Sequence, residues 1–425
     1  MDVSKLDICL VMGLYPKEKI HEIEGDSIYG IQNAANVFQW NIVDGILANE
    51  IANVEIINSV YIGSFPKKNK RLIIPSYEFN VQKGIVGKNI GFLNVPIVKE
   101  FVRFFSMKSA LKKWALNGRK NKVAIAYAAT YPMTKALSYL KTVNHDIMTC
   151  LVVPDLPIFM NLSQSKTGVL HRIKDKIVQA EMIKADSYVL LTEQMKNMIE
   201  GSEKKPVSIV EGMSSAIGRE TKKYTVQEGH VDEEVKYKQS NVISKWQGKH
   251  CLYAGGLHRR YGIEKMVKAF QMAAIDNAIL HIYGDGDYAE ELKKMNDKSI
   301  IYHGITTNEE VVIAEEQATL LINPRPTTEE FTKYSFPSKN MEYMASGTPV
   351  LTTNLPGMPQ EYQEYVYLFD DETVEGMARK IREVLSFSPE SLRRKGLDAQ
   401  RFVLENKNNV VQAKKILTML EQCSE

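Results

Sequence analysis

The sequence predicts an α/β protein made of two doubly wound domains, each a largely parallel sheet with helices on both faces. Its 425 residues have the length of two such domains of about 200 residues each. Along the C-terminal half, short apolar runs alternate with amphipathic helical stretches, as parallel βαβ crossovers require. Hydrophobic residues make up 44% and charged residues 25% of the chain, which is typical of a folded globular protein.

The strands of the C-terminal half are the clearest predicted elements, because each is a short apolar run bounded by turn residues. They cover residues 250–255, 278–284, 299–304, 318–323, 349–353 and 365–369. The helices between them cover residues 263–274, 288–295, 308–317 and 338–344. In such a sheet, ligands bind beyond the C-terminal ends of the strands, where the strand order reverses.

The N-terminal half is less regular but shows the same alternation. Its predicted buried strands cover residues 6–12, 54–62, 122–128, 147–153 and 188–192. A polar, charged stretch without apolar periodicity separates the two halves. We therefore place an N-terminal domain at 1–211, a connection at 212–248, a C-terminal domain at 249–408 and a final helix at 409–425.

Charge and cysteine usage exclude several classes of function. A formal net charge of +3 is too small for a general nucleic-acid binder. The four cysteines are scattered without a CxxC pair, so we expect reduced thiols and no metal site built on them. The N-terminal apolar run is too short for a signal peptide or a membrane span. We therefore expect a cytoplasmic protein, soluble or peripheral at the inner face of the membrane.

Residues 318–356 carry the most specific pattern. A predicted strand ends in Asn323-Pro324, Glu342 follows on a helix within MEYMA, and SGTPV at 346–350 opens the next strand. Upstream lie YAGGLHRRYGI at 253–263, the glycine turn at 284–286, and His303-Gly304. In this order and spacing the chain resembles the group 1 (family 4) retaining glycosyltransferases of the GT-B fold.

The resemblance implies a fold, a reaction and partners. The fold would be two facing Rossmann-like domains, with the donor bound in the C-terminal one and the acceptor in the N-terminal one. The reaction would move a sugar from a nucleoside diphosphate sugar to an acceptor hydroxyl with retention, using no metal ion and no resident cofactor. The acceptor would be a saccharide or a lipid-linked molecule of a bacterial polysaccharide or glycoconjugate pathway.

We expect the donor site around a helix that begins at Pro337-Ser338, because helix N-termini suit a diphosphate. In the family, the glutamate that matches Glu342 accepts hydrogen bonds from the donor ribose. The alternative is that Glu342 only pairs with Lys339 on a solvated helix face. The other donor-binding candidates are Gly255, Gly256, Gly284, Gly286, Ser335, Phe336, Pro337 and Ser338.

One departure from the family pattern concerns the residue near the transferred sugar. The family usually has another glutamate eight positions before the first, where this chain has Tyr334. Tyr334 could hydrogen-bond sugar hydroxyls or pack on the sugar ring, and Glu329 or Glu330 could enter the site from the loop. This departure leaves the donor sugar open.

A second departure concerns the cations that face the diphosphate. The family often has an arginine and a lysine where this chain has Gly256 and Tyr261. Arg259 and Arg260 are therefore the catalytic candidates, since a guanidinium matches a pair of diphosphate oxygens. Arg260 is favoured by its position, and the alternative for each is a solvated surface arginine.

The glycine turn also contains Asp285 and Asp287, an Asp-x-Asp pair of the kind that holds a divalent metal in the other large glycosyltransferase fold. In that fold the pair follows a single N-terminal nucleotide domain, whereas here it lies in a second α/β domain. We therefore interpret both aspartates as helix N-capping groups.

In the N-terminal half, Asp155 follows a predicted buried strand where the family carries a catalytic-site histidine or aspartate. We assign it to the acceptor side, the alternative being an ordinary turn aspartate before proline. The loop that contains Gly30, Gln32 and Asn33 matches the family's small-residue loop lining the interdomain cleft.

The stretch 97–122 predicts a helix with one polar, basic face and one apolar face that packs on the sheet. The buried face would contain Phe101, Phe104, Phe105 and Leu111, and the basic face Lys99, Arg103, Ser106, Lys113 and Asn117. Such a face favours peripheral contact with an anionic membrane, and a merely solvated basic face is the alternative.

Two other functions stay open. A degenerate partner subunit could bind a nucleotide sugar without transferring it, because the usual second glutamate is missing. A nucleotide-sugar epimerase would share the fold, but its set of carboxylates and histidines around the sugar cannot be placed in this sequence.

Overall fold

A computed structural model describes residues 3–82, 84–156, 169–215 and 245–423. The chain divides into two compact units. The first contains Met1–Met213, Lys333–Phe336 and Asn409–Glu425, and the second contains Ser214–Thr332 and Pro337–Asn408. Residues 216–244, most of the predicted connection, lie outside the described residues. Among the helices that the structure describes, none has the length and apolarity needed to cross a membrane.

The regular elements follow in chain order. The strands are β1 (Asp7–Met12), β2 (Asn53–Asn58), β3 (Ile73–Ile74), β4 (Tyr77–Asn80), β5 (Val86–Asn89), β6 (Phe92–Leu93), β7 (Lys122–Tyr127), β8 (Met148–Val153), β9 (Ser187–Leu190), β10 (Val207–Ile209), β11 (Lys249–Ala254), β12 (Ala278–Tyr283), β13 (Ile300–Gly304), β14 (Leu320–Asn323), β15 (Val350–Thr353) and β16 (Tyr367–Phe369). The helices are α1 (Ile20–Asp26), α2 (Asn33–Ala48), α3 (Val98–Ala115), α4 (Tyr131–Val143), α5 (Val169–Met182), α6 (Ile263–Ala273), α7 (Ala289–Lys294), α8 (Asn308–Gln317), α9 (Ser338–Ser346), α10 (Val374–Leu385), α11 (Pro389–Asn406) and α12 (Asn409–Gln422).

The first unit is built on an eight-stranded sheet with the order β10-β9-β8-β7-β1-β2-β5-β4. Its neighbouring strands are parallel except for β4, which runs antiparallel to β5. The short strands β3 and β6 form a separate antiparallel ribbon. The five strands predicted in this half correspond to β1, β2, β7, β8 and β9, and the prediction missed the other five.

The first unit has a core on each face of this sheet, because the side chains of a strand alternate between its faces. Cys9 and Val11 of β1 lie in the core that contains residues of α3, α4 and α5. Ile8 and Leu10 lie in the core that contains residues of α2 and α12. This double burial explains why β1 is a continuous apolar run.

The last helix, α12, belongs to the first unit. It packs on α2, where Gly45 has no room for a Cβ because Asn409 O lies against it. Ile416 and Leu420 are buried in the same core as Trp40. Helix α12 therefore completes a hydrophobic core that also contains residues of β1 and α2.

Helix α3 packs on the sheet through a face that agrees only in part with the predicted one. Arg103 is buried and donates to Ser59 Oγ over 2.9 Å and to Ser59 O over 2.5 Å; burial lowers the pKa of Arg103. The placement of Arg103 on a basic surface is therefore wrong. Phe101 and Phe105 are 41% and 61% exposed, so their expected burial is wrong as well. The predicted burial of Phe104 and Leu111 is confirmed, and Met107 and Trp114 share their face.

The second unit is built on six strands in the order β13-β12-β11-β14-β15-β16, and all of their pairings are parallel. Cys251 and Tyr253 of β11 lie in a core with residues of α6 and α10. The C-terminal strand predicted at 365–369 is shorter, because residues Gln360–Tyr365 form a 3-10 helix that ends where β16 begins.

A chain of three histidines crosses neighbouring strands of the second unit. His250 Nδ1 lies 2.9 Å from His281 Nε2, and His281 Nδ1 lies 2.9 Å from His303 Nε2. Trp246 stacks on His281 with ring centroids 4.2 Å apart. Burial, and then the neighbouring histidines, lower the pKa of His281 to about 4. The central imidazole is therefore neutral at pH 7.

Candidate functional site

The strand order of the second unit reverses between β11 and β14, which lie side by side at the centre of the sheet. Crossovers leave the two strands toward opposite faces of such a sheet, so the loops at their carboxyl ends border a crevice. Residues 255–262 follow β11, and residues 324–332 follow β14. Two of the motifs singled out in the sequence therefore meet at the point where an α/β sheet binds ligands.

The glycines in the turn after β12 allow it to pack closely against the turn after β11. Gly284 has φ +124°, and a Cβ there would overlap Gly255 O. A Cβ on Gly286 would lie 2.5 Å from the backbone carbonyl carbon of Leu257. Leu257 N also donates to Asp285 O over 2.8 Å. The turns after β11 and β12 thus pack backbone against backbone, which leaves the β11 loop fixed beside the crevice.

A third glycine joins the β11 loop to the β14 loop. Gly262 has φ +84°, and a Cβ there would overlap Pro324 O. Earlier in the loop, Gly256 is half-buried and its carbonyl accepts a hydrogen bond from Tyr253 Oη over 2.9 Å. The β11 loop and the β14 loop, which border the crevice, are therefore in backbone contact. Only glycine permits this contact at position 262.

Arg259 lies on the surface and is already paired. Its guanidinium contacts Glu264 and lies 2.5 Å from Glu291 Oε1. The guanidinium carbon also lies 4.9 Å from the centre of the Tyr288 ring. The hydrogen bond that Arg259 donates to Glu264 raises the pKa of Arg259. Its charge is balanced by these two carboxylates, so Arg259 is a weaker candidate than Arg260 for binding the diphosphate.

Arg260 and Arg325 converge at the carboxyl ends of β11 and β14. Their guanidinium carbons lie 4.6 Å and 5.5 Å from the centre of the Phe331 ring. Arg325 also lies 4.7 Å over Tyr261, and Arg260 lies 3.4 Å from Glu329. Among the described residues, Nε of Arg260 is buried without a hydrogen-bond partner. Two cations at this crevice fit an anionic ligand.

Arg325 is a site residue that was not predicted from the sequence. Its position could have identified it, because it lies one residue beyond the Asn323-Pro324 pair at the end of β14. Its guanidinium contacts Tyr261, which stands at the position of the family's usual lysine. The structure also brings Glu329, one of the two loop glutamates considered, to Arg260, whereas Glu330 is exposed.

Helix α9 points its first turn at the same end of the sheet, since it follows the β14 loop. Pro337 at its N-cap provides no side-chain cap. The N–H groups at Ser338 and the next residue precede the first intrahelical bonds, so they can receive an anion. Asn323 Nδ2 donates to Asn340 Oδ1 over 2.7 Å, which ties the end of β14 to this turn.

Glu342 lies on α9 and pairs with Lys339. Lys339 Nζ lies 2.9 Å from Glu342 Oε2, with 31% and 43% of the two side chains exposed. Burial opposes the charge of Lys339, but the ion pair with Glu342, together with the charge of Glu315, raises the pKa of Lys339. The pair proposed as the alternative thus exists, and it also brings a third cation to the first turn of α9.

Three further candidates precede α9 and cluster with the first unit. Tyr334 is half-buried and packs against the core that contains residues of α3, α4 and α5. Thr192 Oγ1 donates to Lys333 O over 3.0 Å. Ser335 is half-buried, and Phe336 is only 5% exposed. Tyr334 therefore packs against an apolar core of the first unit, a contact that was not predicted from the sequence.

The interpretation of Asp285 and Asp287 as N-capping groups is wrong. The N-cap of α7 is Tyr288, and no side chain caps that helix. Asp287 Oδ1 instead accepts from Arg259 N over 2.9 Å, and Asp285 Oδ1 accepts from Gly286 N over 2.9 Å. Each aspartate therefore stabilises a turn, one of them in the β11 loop.

In the first unit, Asp155 follows β8 and is exposed. Burial first, and the Asp155 carboxylate second, raise the pKa of Tyr127 at the end of the neighbouring strand β7. Asp155 also raises the pKa of Tyr61, after burial and Glu100. The acid therefore lies at the carboxyl edge of the sheet beside two tyrosines.

The loop before α2 lies at the same edge as the end of β1. Gly30 is exposed with φ +76°, and Gln32 is the N-cap of α2, which begins at Asn33. Gln32 N donates to Tyr15 Oη over 3.3 Å. This contact fixes the loop against the segment that follows β1.

The family comparison matches the second unit. Residues 238–401 match the family model described as Glycosyl transferases group 1. No curated protein matches the chain at a significant level. The sequence motifs and the family match therefore agree on the same half of the chain.

Solved structures match the whole chain. A sucrose-phosphate synthase from Thermosynechococcus elongatus shares 14% identity, with 98% of each chain covered and a TM-score of 0.64. A glycosyltransferase from Rickettsia africae shares 10% identity over 98% of each chain, with a TM-score of 0.61. The pneumococcal O-GlcNAc transferase GtfA, in complex with UDP and GlcNAc, shares 10% over 98% of this chain and 99% of that one, with a TM-score of 0.57. The predicted GT-B fold with two Rossmann-like domains is confirmed.

Proposed function

We propose that this chain is a group 1 glycosyltransferase of the family 4 type. It moves a sugar from a nucleoside diphosphate sugar to an acceptor hydroxyl with retention of the anomeric configuration. The bond between the anomeric carbon and the diphosphate breaks, a bond to the acceptor oxygen forms, and the acceptor proton is released. Sucrose-phosphate synthase and GtfA, which share the fold, are named for glycosyl transfer or its product.

The observation that carries the proposal is the convergence of Arg260, Arg325 and the first turn of α9 at the strand reversal of the second unit. Arginine forks and helix N–H groups stabilise the charge that develops on a departing diphosphate. Glu342 would accept hydrogen bonds from the ribose of the donor. With this charge already supplied, we propose that transfer needs no metal ion and no resident cofactor.

We propose that the acceptor binds to the first unit, near Asp155. A carboxylate at the carboxyl edge of a sheet can orient a hydroxyl by accepting its hydrogen bond. The acceptor class is a saccharide or a lipid-linked molecule of a bacterial polysaccharide or glycoconjugate pathway. We further propose a cytoplasmic protein that contacts an anionic membrane peripherally.

The test is a donor screen. The protein is incubated with UDP-, GDP-, ADP- and TDP-sugars, with and without saccharide acceptors, and release of nucleoside diphosphate is measured. Product anomers are then assigned by NMR. Release with one donor and an α-linked product from an α-linked donor support the proposal. Tight donor binding without release would favour the degenerate partner subunit instead, because Tyr334 replaces the usual glutamate. Conversion of the free nucleotide sugar without release would indicate an epimerase.

A further inference from the structure

Helix α3 carries one exposed stripe that changes character along its length. Val98, Phe101, Phe105, Lys108 and Lys112 follow one another at helical spacings of three or four residues, and all are exposed. The first three side chains are 45%, 41% and 61% exposed. The stripe is therefore apolar in the first half of the helix and basic in the second.

The β3–β6 ribbon extends the apolar part. Ile73 pairs with Leu93 across the ribbon, and these residues are 67% and 38% exposed, while Ile74 and Phe92 are buried. Strand β6 contacts α3, and Ile97 just before the helix is 59% exposed. We name Ile73, Leu93, Ile97, Val98, Phe101 and Phe105 the apolar strip. Single exposed apolar residues are ordinary, but a clustered set marks an interaction surface.

The apolar strip cannot be buried by a rotation of α3. Arg103, on the opposite side of the helix, is anchored to Ser59. Phe104 is buried, with its ring centroid 6.0 Å from that of Tyr139. A rotation that buried Phe101 and Phe105 would expose these groups and break the anchor. The exposure of the strip is therefore a fixed property of the first unit.

The charges beside the apolar strip select the partner. Within the part of the chain that the structure describes, no carboxylate lies within ion-pair distance of Lys108 or Lys112; Lys108 lies 5.0 Å over the Tyr139 ring. Glu100, the acid of α3, is turned toward Arg103, 3.9 Å away. The exposed stripe thus offers apolar side chains and cations together, which complements an anionic lipid surface.

We propose that the apolar strip inserts into the headgroup region of an anionic bilayer, with Lys108 and Lys112 on the lipid phosphates. Helix α3 then lies in the plane of the interface with its buried face unchanged. The inference deepens the peripheral contact of the proposed function by naming its surface. Sugar transfer itself plays no part in it, so the two can fail separately.

The test is co-sedimentation of the full chain with phosphatidylcholine vesicles, with and without phosphatidylglycerol, at low and high salt. We expect binding to the anionic vesicles, part of which persists at high salt because apolar insertion is not screened. Phe101→Ser with Phe105→Ser should remove the salt-resistant part. Lys108→Gln with Lys112→Gln should weaken binding to anionic vesicles at low salt by about fivefold for each lysine.

The matched control is Met272→Ser with Ile313→Ser, which replaces side chains that are 46% and 44% exposed in the second unit. It should bind vesicles like the unaltered protein. Circular dichroism verifies that each variant is folded, and nucleoside diphosphate release in solution should be the same in all of them. Equal binding by the phenylalanine variant and the control would overturn the proposal. So would a dimer in sedimentation velocity that the phenylalanine variant alone dissociates, because the strip would then be a contact between two copies.

Discussion

Replacing Glu342 with glutamine tests whether Glu342 binds the donor or only pairs with Lys339 on the helix surface. The Lys339–Glu342 pair has 31% and 43% of its side chains exposed, so its loss should lower the free energy of unfolding by only about 0.3–0.5 kcal/mol. A charge-assisted hydrogen bond to a ribose hydroxyl contributes about 1.5–3 kcal/mol. If Glu342 binds the donor, the dissociation constant of the matching nucleoside diphosphate should therefore rise by about 10- to 150-fold.

The assay is titration calorimetry with UDP, GDP and ADP, together with urea unfolding of the same variants. The chain provides a matched control in Glu290→Gln, because Lys293 lies 2.7 Å from Glu290 in another i,i+3 pair, with 55% and 67% of the side chains exposed. The control should change neither affinity nor stability beyond the cost of a surface pair. An affinity for Glu342→Gln within twofold of the unaltered protein would show that pairing with Lys339 is the whole role of Glu342.

Three further predictions concern charge. Arg325→Met should weaken nucleoside diphosphate binding tenfold or more, on the order of 1.5–3 kcal/mol, whereas Arg259→Met, whose charge is already paired, should bind normally; equal losses in calorimetry would contradict the site. A chelator should leave sugar transfer intact, and a loss restored by manganese would instead assign a metal to Asp285 and Asp287. The pKa of His281 falls from 6.5 to about 4 on folding. As the pH is lowered, this histidine is therefore protonated in the unfolded chain before it is protonated in the folded chain. The free energy of unfolding should therefore drop as the pH falls below 6.5, by about 2 kcal/mol at pH 5. His281→Gln should flatten this slope in urea unfolding at each pH, and an unchanged slope would exclude the histidine as its cause.

Much of the fold follows from local sequence because the central parallel strands are buried on both faces. For that reason β1 and β7 are each a continuous apolar run after a charged first residue, and their bounds were predicted to within a residue. The β3–β6 ribbon was missed because each of its strands has two residues, too few for any periodicity. What fixes the ribbon is its pairing and the packing of β6 on α3, which are contacts between elements and not a pattern within one.

Side-chain placement was harder to predict. Helical periodicity put Arg103 with the other cations, yet Arg103 shares its face with Met107, Leu111 and Trp114, and that spacing was a readable sign of burial. Arg325 was missed for a different reason. Its role depends on Tyr261, which is far away in the sequence, so only the folded chain brings the guanidinium to the β11 loop.

The position of α12 has a consequence for biosynthesis. Its side chains Ile416 and Leu420 fill a core whose other members are translated hundreds of residues earlier, Trp40 among them. During synthesis one apolar face of the N-terminal sheet would therefore stay partly uncovered until α12 has left the ribosome. A nascent chain stalled before Asn409 should expose this face to chaperones, and a truncation just before α12 should lower the solubility of the protein.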